Sequence, residues 1–492
     1  MKKHIFFILK NCILTLIILF LLVIINNILM TKNFFNSEYP TTATYKNFYK
    51  LDRDTVDVLF LGSSHCVTSF DPQVLYDEYG ITSYNLGSGA QSIMVSYYWL
   101  EEALRYQSPK AVVLDTYMLF WYEGQKYFNS TESSIRMAID PMRWSKVKWN
   151  AVRDICEHDS EHSISSYFFI NERYHNRWEN LTQADFQFAK MYRHQDLKGY
   201  SAIPVRAGKE EYIPLESGRT DEKCNIHYYT VDYLEKIVNL CEEKGIELIL
   251  VKTPAIMQNE AKYNTTLEFA KENGLAFWDL NLQEHYNACG FEFVQDMSGG
   301  GHANVWGAQK ITKYIGKLLK EQGLFSEVCV RPAWEESKEY HKKVLYDCEL
   351  TQITNIDDYL QKLKREDYTV FIAISADVDF FKQEGELNKF RNALGVEMGL
   401  QEPNSYMALL HDGVILTEEV SPQINYYDVI DNCDVDYHIA CSDDMAERNC
   451  SILIDNVEHS INKQGINIVV YNNDRMLVVD SINYLNGKMQ RE

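Results

Sequence analysis

No Cys-x-x-Cys pair occurs anywhere in the 492 residues, which argues against a zinc site or a thioredoxin-type motif. No internal repeat or low-complexity tract is evident, so repeat architectures drop out of consideration. Positive charge is scarce, with 48 Lys and Arg against 70 Asp and Glu and a net charge of −22. That balance repels phosphates, and so speaks against nucleic acid and against close contact with anionic lipid. A signal-peptide cleavage site is missing too, because Asn26-Asn27-Ile28-Leu29-Met30 has no small-residue cut point.

What is present is ample core material, 46% hydrophobic and 13% aromatic, in a chain long enough for two or three domains. The 33 tyrosines suit sugar-facing surfaces, and a compositional bias would explain them equally well. Lys2, Lys3 and Lys10 precede 21 uncharged residues, Asn11 to Thr31. As a helix this stretch is about 31 Å long, enough for one bilayer crossing. An uncleaved anchor over residues 1–33 is therefore expected, with the N-terminus cytoplasmic and the main domains extracellular. Of the eleven cysteines, Cys12 lies in the span, and most of the others are expected as buried free thiols.

After an expected stalk (residues 34–54), strand and helix patterns alternate. The strand candidates are 56–62, 82–86, 110–117, 246–253 and 275–280, and the helix candidates are 92–107, 229–244, 259–273 and 304–321. Nearly continuous apolar strands between helices predict an α/β domain over 55–322, a flavodoxin-like parallel sheet with helices on both faces. Ligands of such sheets bind beyond the carboxyl ends of the strands. Residues 118–228 interrupt the alternation with a segment rich in Trp, Tyr, Arg and His. Two readings stand for it: a cap over the site, with Arg177 and Trp178 as candidate substrate contacts, or a helical insert packed on the side of the sheet. Over 323–349 a charged helical segment is expected, as a closing helix or spacer. From 350 to 492 the pattern becomes mostly β, with helices at 355–365 and 385–394.

The chemistry-bearing residues lie on the predicted sheet edge. The run Val56 to Leu61 ends at Gly62, and Ser63, Ser64 and His65 follow where strand gives way to helix. A serine there has its Oγ lifted from the sheet, with backbone N–H groups available to an incoming carbonyl oxygen. The candidate base is His302, in the glycine-rich loop Asp296-Met-Ser-Gly-Gly-Gly-His302 just before the last helix, where Asn304 is a good N-cap. No cofactor and no metal-ligand set is expected.

Gly62-Ser63-Ser64, Asn85-Leu-Gly-Ser-Gly89 and His302-Ala-Asn304 with Gly307 resemble the SGNH/GDSL hydrolase superfamily over residues 55–322. The nearest flavour is the membrane-anchored branch acting on bacterial cell-wall and surface polymers, which includes DltD-like proteins. The resemblance implies Ser64 as nucleophile, His302 as base, and the amides of Ser64 and Gly89 as the oxyanion hole, with Gly87 as the alternative glycine. It also calls for an aspartate three residues before the histidine, where this chain has Gly299. Asp296 is the nearest acid, expected to fold back onto the imidazole; Asp115, Asp279 or a Ser64–His302 dyad are the alternatives. The family's asparagine donor is missing from Val112-Val-Leu-Asp-Thr-Tyr117, where Thr116 or Tyr117 would have to substitute.

In the C-terminal part, Gly465-Ile-Asn-Ile-Val-Val-Tyr471, Met476-Leu-Val-Val-Asp-Ser481, Phe371-Ile-Ala-Ile-Ser-Ala-Asp377 and Ser405-Tyr-Met-Ala-Leu409 resemble ILEI/PANDER-type domains. That resemblance implies glycan or protein binding without catalytic residues. Together these features lead to an anchored serine esterase or O-acyltransferase acting on acyl groups, acetyl first, of a surface or cell-wall glycan. The competing reading is a catalytically impaired SGNH-fold surface protein that binds glycan or protein. A peptide or lipid esterase is the third.

Overall fold

The computed structural model describes residues 2–31, 41–121, 132–159, 162–181, 185–186, 196–206, 212–256, 258–299, 301–325, 330–375, 384–398, 404–430, 435–442 and 449–491. Two compact units divide the chain, Met1–Lys342 and Lys343–Glu492.

In the first unit β1 (Val58–Gly62), β2 (Ser83–Gly87), β3 (Ala111–Asp115), β4 (Glu247–Lys252) and β5 (Ala276–Asp279) form one sheet. Every pairing is parallel and the order is β2-β1-β3-β4-β5, the flavodoxin-like order. Because successive side chains of a strand face opposite ways, each strand feeds two cores. Leu59, Leu61, Val112, Leu114, Leu248 and Leu250 join helices Ile93–Ala103 and Tyr228–Lys244 on one face. Val58, Phe60, Val113, Ile249 and Val251 meet residues of Ser64–Ser69, Pro72–Tyr79 and Val305–Glu321 on the other. Each fully buried Leu, Ile or Val contributes about 1.5–3 kcal/mol. That two-sided burial explains the continuous apolar runs in the sequence.

One of the expected boundaries is corrected. Residues 34–54 are not simply a stalk, since Thr41–Phe48 is a helix whose Tyr45 and Phe48 are buried in the first core. Tyr45 stacks on Trp99 at 4.3 Å and its hydroxyl donates to Gln91 Oε1 at 2.7 Å; residues 33–40 lie outside the described residues. In the segment 323–349, expected as a closing helix or spacer, a closing helix is what forms. Helix Pro332–Leu350 buries Trp334 in the same core, and His341 Nε2 lies 2.8 Å from Asp71 Oδ2. A large buried indole drives this helix onto the domain.

The described part of the insertion packs on the side of the sheet. Helices Glu132–Ile139 and Lys146–His158 bury Ile135, Ile139, Val147, Val152 and Ile155 against helix Ile93–Ala103. Trp99 Nε1 donates to the Ala138 carbonyl, and Tyr233 OH donates to Asp154 at 2.7 Å. Further on, residues 198–206 follow the edge of the sheet. Asn85 N–H donates to the Lys198 carbonyl, Ser201 N–H to Val67 and Val305 N–H to Ile203.

At the N-terminus, helix Lys2–Leu29 contains Ile5–Leu29, long and apolar enough to cross a membrane and almost wholly unburied. The described cysteines are free thiols, and six of the nine are buried.

The second unit holds two antiparallel sheets. Strands β6 (Tyr368–Ile374), β7 (Ser405–His411) and β8 (Val414–Ser421) begin it, followed by β9 (Ile424–Ile430), β10 (Val435–Ser442), β11 (Asn449–Ile454) and β12 (Val457–Glu458). Then come β13 (Ile466–Asn472), β14 (Leu477–Leu485) and β15 (Lys488–Gln490). The sheet orders are β15-β14-β13-β6-β7-β8 and β12-β11-β10-β9. Phe371, Met407 and Val469 meet Ile439 and Ile452 in one core, while Val370, Ile372 and Ile468 face helices Ile356–Lys362 and Glu384–Leu394 in the other. Ala376 and Asp377, part of the ILEI/PANDER resemblance, lie outside the described residues.

Candidate active site

Ser64 is placed by an unusual strand end. Gly62 has φ +150°, and a Cβ there would stand 2.5 Å from Asp115 Cβ. Only glycine lets β1 pass β3 this closely and turn at once into the helix. Ser63 caps that helix, its Oγ accepting from His65 N–H at 3.2 Å and donating to Asp115 Oδ2 at 2.8 Å. Ser64 is therefore the first helical residue, part-exposed, and its N–H has no acceptor among the described residues, as expected at a helix start.

The base arrives on a short hairpin. Met297 and Ala303 form an antiparallel bridge, Ser298 N–H donates to the His302 carbonyl at 2.7 Å, and Gly301 takes φ +76° at the turn. Asn304 then caps helix Val305–Glu321, accepting from Trp306 and Gly307 N–H. His302 Nε2 comes to 2.8 Å from Ser64 Oγ across 238 residues of sequence. This is the separation a base needs to take a hydroxyl proton. Gly300, inside the glycine run, lies outside the described residues.

The expected acid is not brought to His302. Asp296 is buried, and its Oδ2 accepts from Lys310 Nζ at 2.7 Å and from Glu292 N–H at 2.6 Å. Lys310, on the helix that follows the hairpin, captures the carboxylate and fastens the loop, which corrects the triad expectation for Asp296. Neither alternative reaches the imidazole. Asp115 serves Ser63 and accepts from Tyr117 N–H at 3.1 Å, while Asp279 accepts from Asn281 Nδ2 at 2.7 Å. Burial pushes the Asp115 carboxyl up to about 6, against opposing hydrogen bonds from Ser63 and Tyr117. Burial likewise lowers the Lys252 ammonium, with the Asp279 charge opposing the shift.

Gly89 sits in the turn leaving β2, whose last residue, Gly87, is paired with Gly62. The Gly89 N–H has no acceptor among the described residues. Thr116 is unsuited to replace the missing asparagine, because both its N–H and its Oγ1 donate to the Val251 carbonyl. Arg177 is engaged away from Ser64 as well, donating to the Leu29 carbonyl and to Asp185 Oδ1, each at 2.7 Å. Trp178 beside it is exposed.

A second histidine borders the pair. His65 is buried, stacks on Tyr117 at 3.7 Å, and has its ring 4.8 Å from that of His302. Burial first, then the charges of His302 and Lys252, lower its basicity well below that of an ordinary histidine. It is therefore a neutral wall at physiological pH, and its place directly after Ser64 was the available signal. Among the described residues no three His, Cys, Asp or Glu side chains are grouped to hold a metal ion.

No family model and no curated protein matches the chain. Among solved structures, a candidate acylhydrolase from Bacteroides fragilis is 11% identical, covering 56% of this chain and 94% of that one, with a TM-score of 0.26. A GDSL-like lipase from Bacteroides thetaiotaomicron is 12% identical, covering 57% and 99% of the two chains, also with a TM-score of 0.26. Likeness at this distance bears on neither activity nor site residues.

Proposed function

We propose that this chain is an anchored extracytoplasmic serine esterase or O-acyltransferase of SGNH type. The observation that carries the reading is the 2.8 Å approach of His302 Nε2 to Ser64 Oγ at the carboxyl edge of the parallel sheet. His302 takes the Oγ proton as Ser64 attacks the ester carbonyl carbon, and the N–H groups of Ser64 and Gly89 receive the oxyanion. Collapse breaks the ester bond, and the departing alkoxide takes the proton from His302. Water or a sugar hydroxyl then attacks the acyl-Ser64 carbonyl carbon as His302 takes its proton, and the acyl–Oγ bond breaks while His302 returns that proton to Ser64 Oγ, releasing the acid or the new ester. The substrate class is an acyl group, acetyl first, on a surface or cell-wall glycan, with the ILEI/PANDER-like unit as a glycan- or protein-binding module. Lys2, Lys3 and Lys10 before the span support an exterior location.

The second reading, an impaired surface binding protein, draws support from Asp296 and Thr116, which are committed elsewhere. Fluorophosphonate treatment of the full-length chain in detergent separates the two. Labelling that disappears in Ser64→Ala supports a live nucleophile, whereas a folded protein that stays unlabelled at neutral pH supports the binding reading. Acetate release from acetylated glycan, with and without a carbohydrate acceptor, then distinguishes hydrolysis from transfer.

A further inference from the structure

The described part of the insertion carries more exposed aromatic surface than any neighbouring element needs. Trp144, Trp149, Phe168, Phe169 and Trp178 are each at least 42% exposed. Trp144 and Phe168 stack on one another at 4.1 Å with Trp149 beside them, so these three rings form a contiguous surface. Monomeric soluble domains rarely leave such a patch bare, and bare patches mark interaction sites.

The apolar helix at the N-terminus ends on the same element. Its last residue, Leu29, and Met30 just after it are buried in the domain, although the span before them is bare. The helix packs against Ile170–Tyr174 and the turn His175–Asn180. Arg177 donates to the Leu29 carbonyl at 2.7 Å, meeting one of the carbonyls that a helix end leaves unpaired. Phe169 caps Ile170–Tyr174, and Trp178 follows Arg177 directly. Along the chain, the segment that grips the end of the span is thus flanked by the exposed rings of Phe168, Phe169 and Trp178.

We propose that this aromatic face lies in the interfacial layer of the bilayer leaflet from which the anchor emerges, so that the domain rests on the membrane instead of standing off on a stalk. Trp favours that layer because its indole joins an apolar body to a polar N–H, and the Phe rings beside it add apolar area. Recognition here is aromatic, not ionic: the chain's net charge of −22 would oppose an anionic leaflet. A second copy of the chain is the rival occupant of the patch. The proposal rests on Lys2–Leu29 crossing the bilayer and is independent of the esterase reading.

The chain offers a direct test. None of its eight tryptophans lies in the span, so membrane quenching of their emission reports on the domain alone. The full-length protein is placed in phosphatidylcholine nanodiscs carrying lipids brominated either near the head or near the end of the acyl chain. We expect shallow bromines to quench up to three of the eight tryptophans, about three-eighths of the emission, and deep bromines to quench less. The triple variant Trp144→Phe, Trp149→Phe, Trp178→Phe keeps the rings apolar and should lose that quenching while the far-ultraviolet spectrum stays the same. Unquenched wild-type protein in the discs would overturn the proposal, as would quenching that survives in the triple variant. Failure of the protein to migrate with the discs would remove the anchor, and the proposal with it.

Discussion

Buried polar groups are handled differently around Asp347 in the C-terminal unit and at the carboxyl edge of the parallel sheet. In the C-terminal unit carboxylates sit in closed circuits: Asp347 Oδ2 meets Arg475 at 2.6 Å and Asn472 at 3.0 Å, and its other oxygen accepts from Tyr368 OH. At the carboxyl edge of the parallel sheet several polar atoms have no partner among the described residues: His65 Nδ1, Thr253 Oγ1 and Asp279 Oδ2. Buried groups left unsatisfied are costly, and they persist where something other than stability is served. The unpaired polar atoms at that edge therefore mark a candidate site, whereas the Asp347 circuit, like Arg136 with Asp140 in the first unit, is scaffold.

The largest test of that contrast is loss of chemistry without loss of fold. Ser64→Ala or His302→Ala is expected to lower fluorophosphonate labelling or ester turnover at least about a thousandfold, with thermal melting little changed. Asp347→Ala should do the opposite. Breaking a buried ion pair from one side costs about 3–5 kcal/mol, so denaturant unfolding of the C-terminal unit should come early while Ser64 still labels.

Asp115 gives a pH-dependent test. Its folded pKa of about 6 lies above the ordinary 3.8, so between those values the unfolded chain has lost a proton that the fold retains. Stability contributed through this group falls as pH rises across that window and is level above it. Relative to Asp115→Asn, wild-type stability should drop by about 3 kcal/mol at most as pH rises from 4 to 6. A wild-type-minus-variant difference that stays flat across the window would remove Asp115 as a buried, titrating group.

Asp296→Asn should have the smallest effect on chemistry. With its carboxylate on Lys310 and not on His302, labelling should stay within a few-fold of wild type. A loss near ten-thousandfold, as triad aspartates give, would instead return Asp296 to the site.

Much of this arrangement was legible in the residues. The five strands of the sheet lie within a few residues of the predicted ones, because apolar runs buried on both faces have few alternatives. Ser64 and His302 were marked by the glycines and helix starts around them. The side-chain partners were not legible. Sequence distance made Asp296 the natural acid, and the tertiary packing of Lys310 claimed it. Arg177 looked like a cap residue, and the end of the N-terminal helix claimed it.

By itself the sequence determined the elements, their parallel pairing and the apolar span, since these follow from local periodicity and hydrophobic burial. Only the tertiary structure decided which carboxylate meets which cation, which way the insertion packs, and that Ser64 and His302 stand 2.8 Å apart. Hydrogen bonds and ion pairs act over a few ångströms, and such distances exist only once the chain has folded.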